Sequence, residues 1–563
     1  MKASSLSTRL LGYAWLFALG IALVCAALST DRRTRLVEEY AWLCDPFGYL
    51  QIAQDVRQAA ATRSLADFSI ESPHNRLLID MMKSRGLPLR FWDDMVAPLC
   101  HHYFPKADHI GVQYPPGTGF MLALFPEGEA LHSLDRVVIG LFVVVGLLML
   151  VIAAVRRTWF AAGFVILALS LGLEMLARID NASFSINAMF APLLLSSLCL
   201  CAAFGLRAGG TRSSYLVFLF TCLAGILFGF AVLVRLQVVF LIPGVLVLLW
   251  PDRLRDWYKS ILVAFVSGVL LGGVLPLMMN QSRLTGAWYL STYGIGNTDP
   301  PTLRAFWPNF HFYFDSDKPS QYNWALGVML ISCLALFVWT RRRATPTGPP
   351  KFLLPLNWRR VGLAALTMWL IPTVYFLTHE VTGHHYPIPQ TFGAVLLLAL
   401  AAIRLEGNNR AEKTDVGRLS LALQLIGLVV ALAPGVSALA LAWSNYVPPS
   451  AERRPRQFIL PADLADDRAW VWADELSGAL WYYARKPAHK INFTSPETRL
   501  LVFEFVRGRG EPQYLIADGP DMQRMQVEMV QLGATLEQRG EVDGYPYFLI
   551  HWPTNRPAKN AAN

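Results

Sequence analysis

The sequence predicts a polytopic α-helical membrane protein with about eleven spans and a C-terminal α/β domain outside the cytoplasm. Of its 563 residues, 54% are hydrophobic and only 16% are charged, and the mean hydropathy is +0.37. Soluble globular chains carry about a quarter charged residues. Apolar runs of about 20 residues, the length that crosses a bilayer, recur along the chain. This composition excludes a disordered chain, a fibrous repeat and a cytosolic enzyme.

The apolar runs give the predicted spans. They cover roughly 10–28, 137–155, 159–177, 184–205, 214–233, 236–250, 260–279, 323–340, 361–378, 387–403 and 419–443. The stretch 214–250 is too long for one helix, and Arg235-Leu236-Gln237 divides it into two. The first run is long for a signal peptide, and no clean small-x-small site follows it. We therefore expect an uncleaved anchor, with a signal peptide as the alternative.

Basic residues predict the orientation. With the N-terminus inside, the inner segments hold nineteen Lys and Arg residues and the short outer loops hold five. Because positive charge marks the cytoplasmic side, the N-terminus is predicted to be cytoplasmic, and an odd number of spans puts the C-terminus outside. The net charge of +9 is then largely an orientation signal. We expect contact with membrane lipid and no binding of nucleic acid.

The predicted organisation has two parts. Residues 1–445 form a transmembrane module, which includes a first outer loop with juxtamembrane helices at 29–136 and a second at 280–322. Residues 446–563 form a C-terminal domain in which AWVWA (469–473), HKINF, QYLIAD and YPYFLI are predicted strands. Helices are predicted from Ser477 and over 520–533. This domain has no Cys and no glycine-rich phosphate loop, so we expect it to support the fold or recognise an acceptor.

The first outer loop opens with an acidic residue. Asp45 precedes Pro46 and an amphipathic pattern, which predicts a helix lying on the membrane surface. Asp45 is either a helix cap or a carboxylate held at the interface as a general base. The pair Asp93 and Asp94 is an alternative base in the same loop. Downstream, Tyr114-Pro115-Pro116 enters an apolar stretch too short to span a membrane, predicted to be a re-entrant or interfacial helix.

Two cysteines lie in predicted outer segments. Cys44 and Cys100 share the first outer loop, and the other five of the seven fall in predicted spans. In an oxidising compartment the two thiols are expected to form a disulfide. The alternatives are free thiols, or a metal site that includes Cys100, His101 and His102.

Ionisable residues at the outer ends of spans are costly and therefore point to function. Arg178 and Arg235 are placed on the same side as Asp45, and a guanidinium there can bind a phosphate with two hydrogen bonds. The alternatives are snorkelling or an ion pair of Arg178 with Asp180. In the outer loop His379–Gln390, HEVTGHH has the wrong spacing for a zinc protease. Glu380, His384 and His385 are instead predicted to line an outer cavity.

Together these residues resemble membrane glycosyltransferases of the GT-C fold, nearest to the protein O-mannosyltransferase and lipid A aminoarabinose transferase group. The resemblance covers most of the chain in order and place. After the first span come an acidic residue and a tyrosine, Asp45 and Tyr49, and then a Tyr-Pro-Pro element, Tyr114–Pro116. An Ala-Arg-x-Asp motif, Ala177–Asp180, lies at a span end, and the basic residue Arg235 lies between paired spans. A Tyr-Pro pair late in the chain, Tyr386–Pro387, and the outer tail with SGALWYYARK, Ser477–Lys486, complete the resemblance. Where the aminoarabinose branch has a Lys before its Pro-Pro, this chain has Gln113 and Tyr114.

The resemblance implies an inverting transfer of a sugar from a polyprenyl-phosphate donor to a glycan, glycolipid or protein acceptor, on the outer face of the bacterial inner membrane. Asp45 would be the base, and Arg178, Arg235 and Tyr114 would contact the phosphate or its lipid. The remaining site residues would line the cavity: Tyr49, Asp180, Glu380, His384, His385 and Tyr386. No cofactor is implied with certainty. Some proteins of this fold need a divalent metal, but the sequence offers no convincing set of ligands.

Two other functions compete with this one. The first is an oligosaccharide transferase or polymerase that uses a lipid-linked glycan. The second is a transporter or lipid flippase, for which internal repeats and broken helices at mid-membrane would be typical. This chain has no clear repeat, and its ionisable residues cluster at the outer ends of spans.

Overall fold

The computed structural model describes residues 3–37, 44–156, 184–208, 214–250, 261–292, 302–314, 358–379 and 458–553, with a few positions between 162 and 176. The helices are α1 to α15 in chain order: Ala3–Val37, Cys44–Thr62, Pro73–Ser84, Gly117–Leu122, Ala130–Arg156, Phe184–Ala208, Ser214–Val234, Ile242–Leu249, Ile261–Thr285, Phe306–Phe314, Trp358–Thr378, Ala462–Ala465, Ser477–Ala484, Pro496–Gly508 and Pro520–Gln531. The strands are β1 to β7: Ser69–Ile70, His101–Phe104, His109–Val112, Trp470–Trp472, Gln513–Ile516, Thr535–Val542 and Tyr545–His551.

Contacts divide the chain into two compact units. The helical unit comprises Met1–Glu38, Leu131–Leu277 and Asp299–Pro449. The α/β unit comprises Glu39–Ala130, Met278–Thr298 and Ser450–Asn563. The first outer loop and the C-terminal region, which are distant in sequence, therefore belong to one compact unit.

Five helices within the described ranges are long and apolar enough to cross a membrane, as expected of an integral membrane protein. They lie within α1, α5, α6, α7 and α9 and match five predicted spans. The predicted span 236–250 is instead a 3-10 turn over Leu236–Leu241 and the eight-residue helix α8. The run 361–378 lies in α11. Most of 159–177 and all of 323–340, 387–403 and 419–443 lie outside the described residues.

Close helix packing in the helical unit depends on glycine. A Cβ on Gly229 of α7 would lie 2.6 Å from the Val269 carbonyl oxygen, and one on Gly273 of α9 would overlap the Gly229 backbone. Small residues at a helix crossing let two backbones approach within van der Waals contact, which is a main source of helix association in lipid. At this crossing α9 contains a π-helical turn, Leu270–Val274.

The α/β unit contains two sheets. The first has the order β1-β3-β2 and is antiparallel. The second has the order β4-β5-β7-β6, in which β4 and β5 are parallel and the other pairs antiparallel. Two helices begin at Ser-Pro sequences, where the serine side chain accepts a backbone hydrogen bond: Ser72 before α3 and Ser495 before α14. This N-cap satisfies a donor that the helix itself leaves unpaired.

One hydrophobic core joins the first outer loop to the C-terminal segment. It contains residues such as Leu78, Trp92 and Tyr103 from the loop, and Trp470 and Phe503 from the C-terminal region. The His74 ring stacks on Trp470 with centroids 4.2 Å apart. Because the same core uses both segments, neither segment can bury its apolar side chains alone.

The C-terminal secondary structure follows most of the predicted pattern. β4, β5 and β7 fall on three predicted strands, and α13 and α15 on the two predicted helices. The predicted strand HKINF is wrong: Ile491–Phe493 is a 3-10 turn, and His489 makes only an isolated bridge to Trp472. The reason is a long-range contact, since the Lys490 N–H donates to the Met95 carbonyl oxygen of the first loop. Helix α14 and strand β6 were not predicted.

Candidate active site

The first turn of α2 contains the predicted base. Asp45 is the second residue of α2, and Pro46 follows in the same turn, where its fixed φ and missing N–H cost the helix nothing. The side chains of Cys44 and Asp45 lie outside the described residues, so the role of Asp45 and the Cys44–Cys100 disulfide stay predictions. The backbone does show that position 45 lies inside the helix, after its first residue.

The Tyr-Pro-Pro element packs against this turn. The rings of Tyr49 and Tyr114 have centroids 4.7 Å apart, and both side chains are buried. A Cβ on Gly48 would lie 2.6 Å from the Tyr114 ring and 3.2 Å from the Cys100 Cβ. Glycine at position 48 is therefore what allows Tyr114 and Cys100 to approach the helix so closely. The fold thus brings together three positions that the sequence singled out separately: Tyr49, Tyr114 and Cys100.

The short helix after the two prolines is also fixed to α2. As predicted, it is short, only six residues from Gly117 to Leu122. A Cβ on Gly119 would overlap the Ile52 side chain. The Arg57 guanidinium donates to the carbonyl oxygens of Leu122 and Phe125, at 2.9 and 2.8 Å. A cation at a helix C-terminus satisfies carbonyl groups that lack helical partners and complements the helix dipole.

The polar face of α2 is partly covered by the C-terminal segment, and a position of this helix on the membrane surface stays a prediction. Gln51 is only 3% exposed. The Arg485 guanidinium, at the end of α13, donates to the side-chain oxygens of Gln51 and Gln54 at 2.6 and 2.5 Å. Arg485 itself has a left-handed backbone with φ of 51°. The polar residues of α2 therefore serve a protein contact.

Asp55 is a half-buried carboxyl group on the same face. It accepts a hydrogen bond from Gln51 at 2.7 Å, and its second oxygen has no partner among the described residues. Burial raises the pKa of Asp55 to about 6, while the Gln51 hydrogen bond and the charge of Arg485 lower it. The sequence showed Asp55 only as one polar residue of a helix, and its acid–base character depends on the covering segment.

One member of the alternative acidic pair, Asp94, pairs with a histidine. The Asp94 carboxylate lies 2.8 Å from His102 Nδ1, and this hydrogen bond lowers the pKa of Asp94. Burial raises the pKa of the neighbouring Asp93. His101 is buried with its Nδ1 3.1 Å from the Leu99 carbonyl oxygen, and burial lowers its pKa to about 3. The described residues contain no group of three or more potential metal-ligating side chains.

In the helical unit, Arg235 marks a break between two helices, as predicted. Its backbone is extended, and its side chain is 9% exposed. It donates to the hydroxyl oxygen of Ser185 at 2.6 Å and to the Gln237 side-chain oxygen. Both of these acceptors are neutral groups, and they fix the orientation of the guanidinium.

The same end of the helical unit holds further polar contacts. Asn187 donates to the buried Asp135 carboxylate at 3.1 Å, and Arg136 pairs with Asp31 at 3.4 Å. One end of the unit, the Arg235 end, therefore contains the end of α1, the starts of α5 and α6 and the end of α7. Asp135 was not singled out in the sequence, although a buried acid at the start of a span is a recognisable signal.

Several predicted site residues lie outside the described residues: Arg178, Asp180, Glu380, His384, His385 and Tyr386. The last described position before this second group is His379, which is buried and stacks on Tyr375 with centroids 4.8 Å apart. The Asn309 amide donates to the carbonyl oxygens of Phe376 and His379. These contacts fix the end of α11, just before the predicted cavity residues.

Comparison with known proteins finds solved structures only. No family model matches the chain, and no curated protein matches it. ArnT from Cupriavidus metallidurans, in the apo state, is similar with a TM-score of 0.49 and 14% identity over 97% of this chain and 98% of that one. The same protein bound to undecaprenyl phosphate is similar with a TM-score of 0.49 and 14% identity, over 95% of this chain and 97% of that one. The Archaeoglobus fulgidus oligosaccharyltransferase tethered to an acceptor peptide is similar with a TM-score of 0.41 and 12% identity, over 93% of this chain and 73% of that one.

These structures are those of GT-C glycosyltransferases, and ArnT is a lipid A aminoarabinose transferase. This is the group that the sequence motifs resemble. The TM-scores lie below 0.5, so the role of each residue in this chain depends on its own sequence and contacts.

Proposed function

We propose that the chain is an inverting glycosyltransferase that moves a sugar from a polyprenyl-phosphate donor to an acceptor hydroxyl, at the outer face of the bacterial inner membrane. Asp45 is the proposed general base. The observation that supports this most is the close packing of Tyr114 and Cys100 on α2 at Gly48 and Tyr49. A base must be held within hydrogen-bond reach of the proton it removes, and a packed helical turn directly after a candidate span supplies such a fixed position.

The proposed step is a single displacement at the anomeric carbon. The acceptor hydroxyl oxygen forms the new bond to C1 while the bond from C1 to the phosphate oxygen breaks, and the polyprenyl phosphate leaves with the bonding electron pair. The Asp45 carboxylate takes the hydroxyl proton. Attack from the face opposite the leaving group inverts the configuration at C1, and no covalent intermediate with the enzyme is needed.

Arg235 is the proposed partner of the leaving phosphate. Negative charge grows on the phosphate as the bond to C1 breaks, and a preorganised guanidinium stabilises such charge without reorganising. The contacts with Ser185 and Gln237 orient Arg235, which is buried. Arg178 is proposed as a second phosphate ligand and Tyr114 as a lipid or phosphate contact. Asp180, Glu380, His384, His385 and Tyr386 are proposed to line the sugar cavity.

Asp45→Asn tests the base directly. Purified protein in nanodiscs is given a series of polyprenyl-phosphate sugars with candidate acceptors, and release of polyprenyl phosphate is measured. We expect wild-type turnover and a decrease of about 10²–10⁴-fold in Asp45→Asn, the usual contribution of a general base. Asp80→Asn, an exposed residue of α3, is the matched control and should keep wild-type turnover.

Equal turnover in wild type and Asp45→Asn would remove Asp45 as the base, and Asp93→Asn and Asp94→Asn would then be compared. Lipid translocation without release of polyprenyl phosphate would instead favour a flippase. Transfer of a preassembled glycan from its lipid carrier would favour the oligosaccharide transferase.

Arg235 is tested with two variants. Arg235→Gln removes the charge, and we expect kcat to decrease by about 10²-fold or more, as for loss of one group that stabilises transition-state charge. Ser185→Ala removes one partner of Arg235 and keeps the charge, so its effect should be about tenfold or less. Equal losses in the two variants, with unchanged inhibition by added polyprenyl phosphate, would show that Arg235 has only a structural role.

A further inference from the structure

A polar cleft of about 290 Å³ lies in the α/β unit, away from the first turn of α2. It lies between the last two turns of α9 and the edge of the first sheet, and it is lined by Ala66, Asp67, Phe68, Ser69, His109, Asn280, Arg283 and Leu284. Leu284 packs closely on strand β3, where a Cβ on Gly111 would lie 2.9 Å from the leucine side chain. The cleft therefore has a fixed floor, and its size is at the lower end of small-molecule sites.

Two buried side-chain nitrogens at the wall of the cleft lack partners among the described residues. Asn280 is 8% exposed, and its Nδ2 has no hydrogen-bond acceptor among the residues that the structure describes. The His109 Nε2 is likewise buried and unpaired within the described part of the chain. An unpaired buried polar group is costly, and such groups are rare unless a ligand, an ion or water completes them.

The charges of the lining residues indicate what would bind. Arg283 supplies a cation and Asp67 an anion, so the cleft is close to neutral. One Asp67 oxygen accepts the Ser69 N–H at 3.1 Å, which holds the carboxylate at the edge of β1. An anionic ligand would be repelled by Asp67, and an apolar ligand would leave the buried Asn280 amide unpaired. A hydroxyl group both donates and accepts, so a ligand with several hydroxyls fits donors and acceptors placed side by side.

We infer that this cleft is a carbohydrate-binding subsite for the acceptor, in addition to the proposed active site. The inference rests on the proposed function for the identity of the acceptor. Between Asp45 and the end of α2 at Thr62, the helix rises by about 25 Å, and the cleft begins four residues later. A sugar bound there is a distal part of an acceptor glycan, so the cleft sets acceptor preference and does not take part in the displacement.

The test measures sugar binding to the full chain without turnover. The protein is reconstituted in nanodiscs, because alkyl-glycoside detergents are themselves carbohydrates. Methyl glycosides of glucose, galactose, mannose and N-acetylglucosamine, and inorganic phosphate, are the probes, and binding is followed by saturation-transfer NMR. We expect at least one glycoside to bind wild type, and Arg283→Gln and Asn280→Leu each to weaken it about tenfold, the effect of losing one such hydrogen bond.

The controls separate binding from folding. Arg524→Gln changes an exposed arginine on α15 and should bind the glycoside like wild type. Asn280→Leu replaces an unpaired amide by an apolar side chain of similar size, so the melting temperature should stay equal or rise. A lowered melting temperature in Asn280→Leu would indicate a structural role for the amide. Glycoside binding by Arg283→Gln would then decide whether the cleft binds the sugar.

Three results would overturn the inference: no glycoside binds wild type, both variants bind it unchanged, or phosphate displaces every glycoside. The proposed function fails separately. Asp45→Asn should bind the glycoside like wild type, so sugar binding without any turnover would reject the enzyme and keep the cleft. Turnover that depends on Asp45 with no glycoside binding would reject the cleft alone.

Discussion

Two arginines, one in each unit, are held by contacts of very different chain separation. In the helical unit, Arg235 bonds to Gln237 and Ser185, which are 2 and 50 residues away. In the α/β unit, Arg485 bonds to Gln51 and Gln54, which are 434 and 431 residues away. These two contacts of Arg235 therefore need only nearby helices to pack, whereas the contacts of Arg485 form only when both ends of the chain are present.

Removal of residues 450–563 is the strongest way to break this comparison. The first outer loop would lose the C-terminal half of its core, including Trp470 and Phe503. We expect the loop to become sensitive to protease and turnover to disappear, while the helical unit keeps its helical circular dichroism. A loop that remained protease-resistant in the shortened protein would show that it folds without the C-terminal segment.

The difference between near and distant contacts also explains which features the sequence could predict. The break at Arg235 was predictable because a charged and an amide residue interrupt one continuous apolar run, which is a local signal. The spans within α1, α5, α6, α7 and α9 were predictable for the same reason. Helix α14 was missed although Ser495-Pro496 is a recognisable N-cap.

The contacts of α2 could not be predicted from periodicity. The pattern shows that Gln51 and Gln54 share a polar face, but it cannot show whether water or Arg485 covers that face. The HKINF error has the same origin, because Lys490 donates its N–H to Met95 of the first loop and so does not extend a strand. Both cases depend on pairing between distant segments, about which a local pattern carries no information.

Acidification should unfold the α/β unit before the helical unit. Burial lowers the pKa of His489 to about 3 and that of His74 to about 4, against about 6.5 in an unfolded chain. The folded state therefore disfavours the charged imidazoles. The two neutral histidines contribute fully to the free energy of unfolding above about pH 6.5, and this contribution is lost as the pH falls towards 3. For His489 the loss is roughly 3–5 kcal/mol.

The measurement is tryptophan fluorescence against pH, since the rings of Trp470 and Trp472 lie 5.4 and 5.7 Å from that of His489. His489→Phe should shift the acid transition to lower pH. His551→Gln is the control, because His551 is half-exposed and pairs with Glu537 at 2.9 Å. An acid transition that is the same in His489→Phe and wild type would exclude His489 as its cause.

The smallest expected effect is on the contact between α13 and α2. Arg485→Gln removes two charge-assisted hydrogen bonds, and we expect the free energy of unfolding to fall by about 1–2 kcal/mol. Because the charge of Arg485 lowers the pKa of Asp55, the variant should also raise that pKa above about 6. Asp55 would then be partly protonated at pH 7, whereas in wild type it is mostly ionised.

The free energy of unfolding, measured from pH 5 to pH 8, separates a local from a long-range origin. If the C-terminal segment holds α2, the pH dependence of unfolding of Arg485→Gln shifts to higher pH, and Asp55→Asn in the same background abolishes the shift. Arg509→Gln is the matched control, since Arg509 pairs with Glu511 at 2.8 Å within the C-terminal segment itself. A profile unchanged in Arg485→Gln would mean that α2 is held in place by the Tyr49–Tyr114 and Gly119–Ile52 contacts of the first loop alone. The α/β unit would then resemble the helical unit in building its polar site from nearby residues.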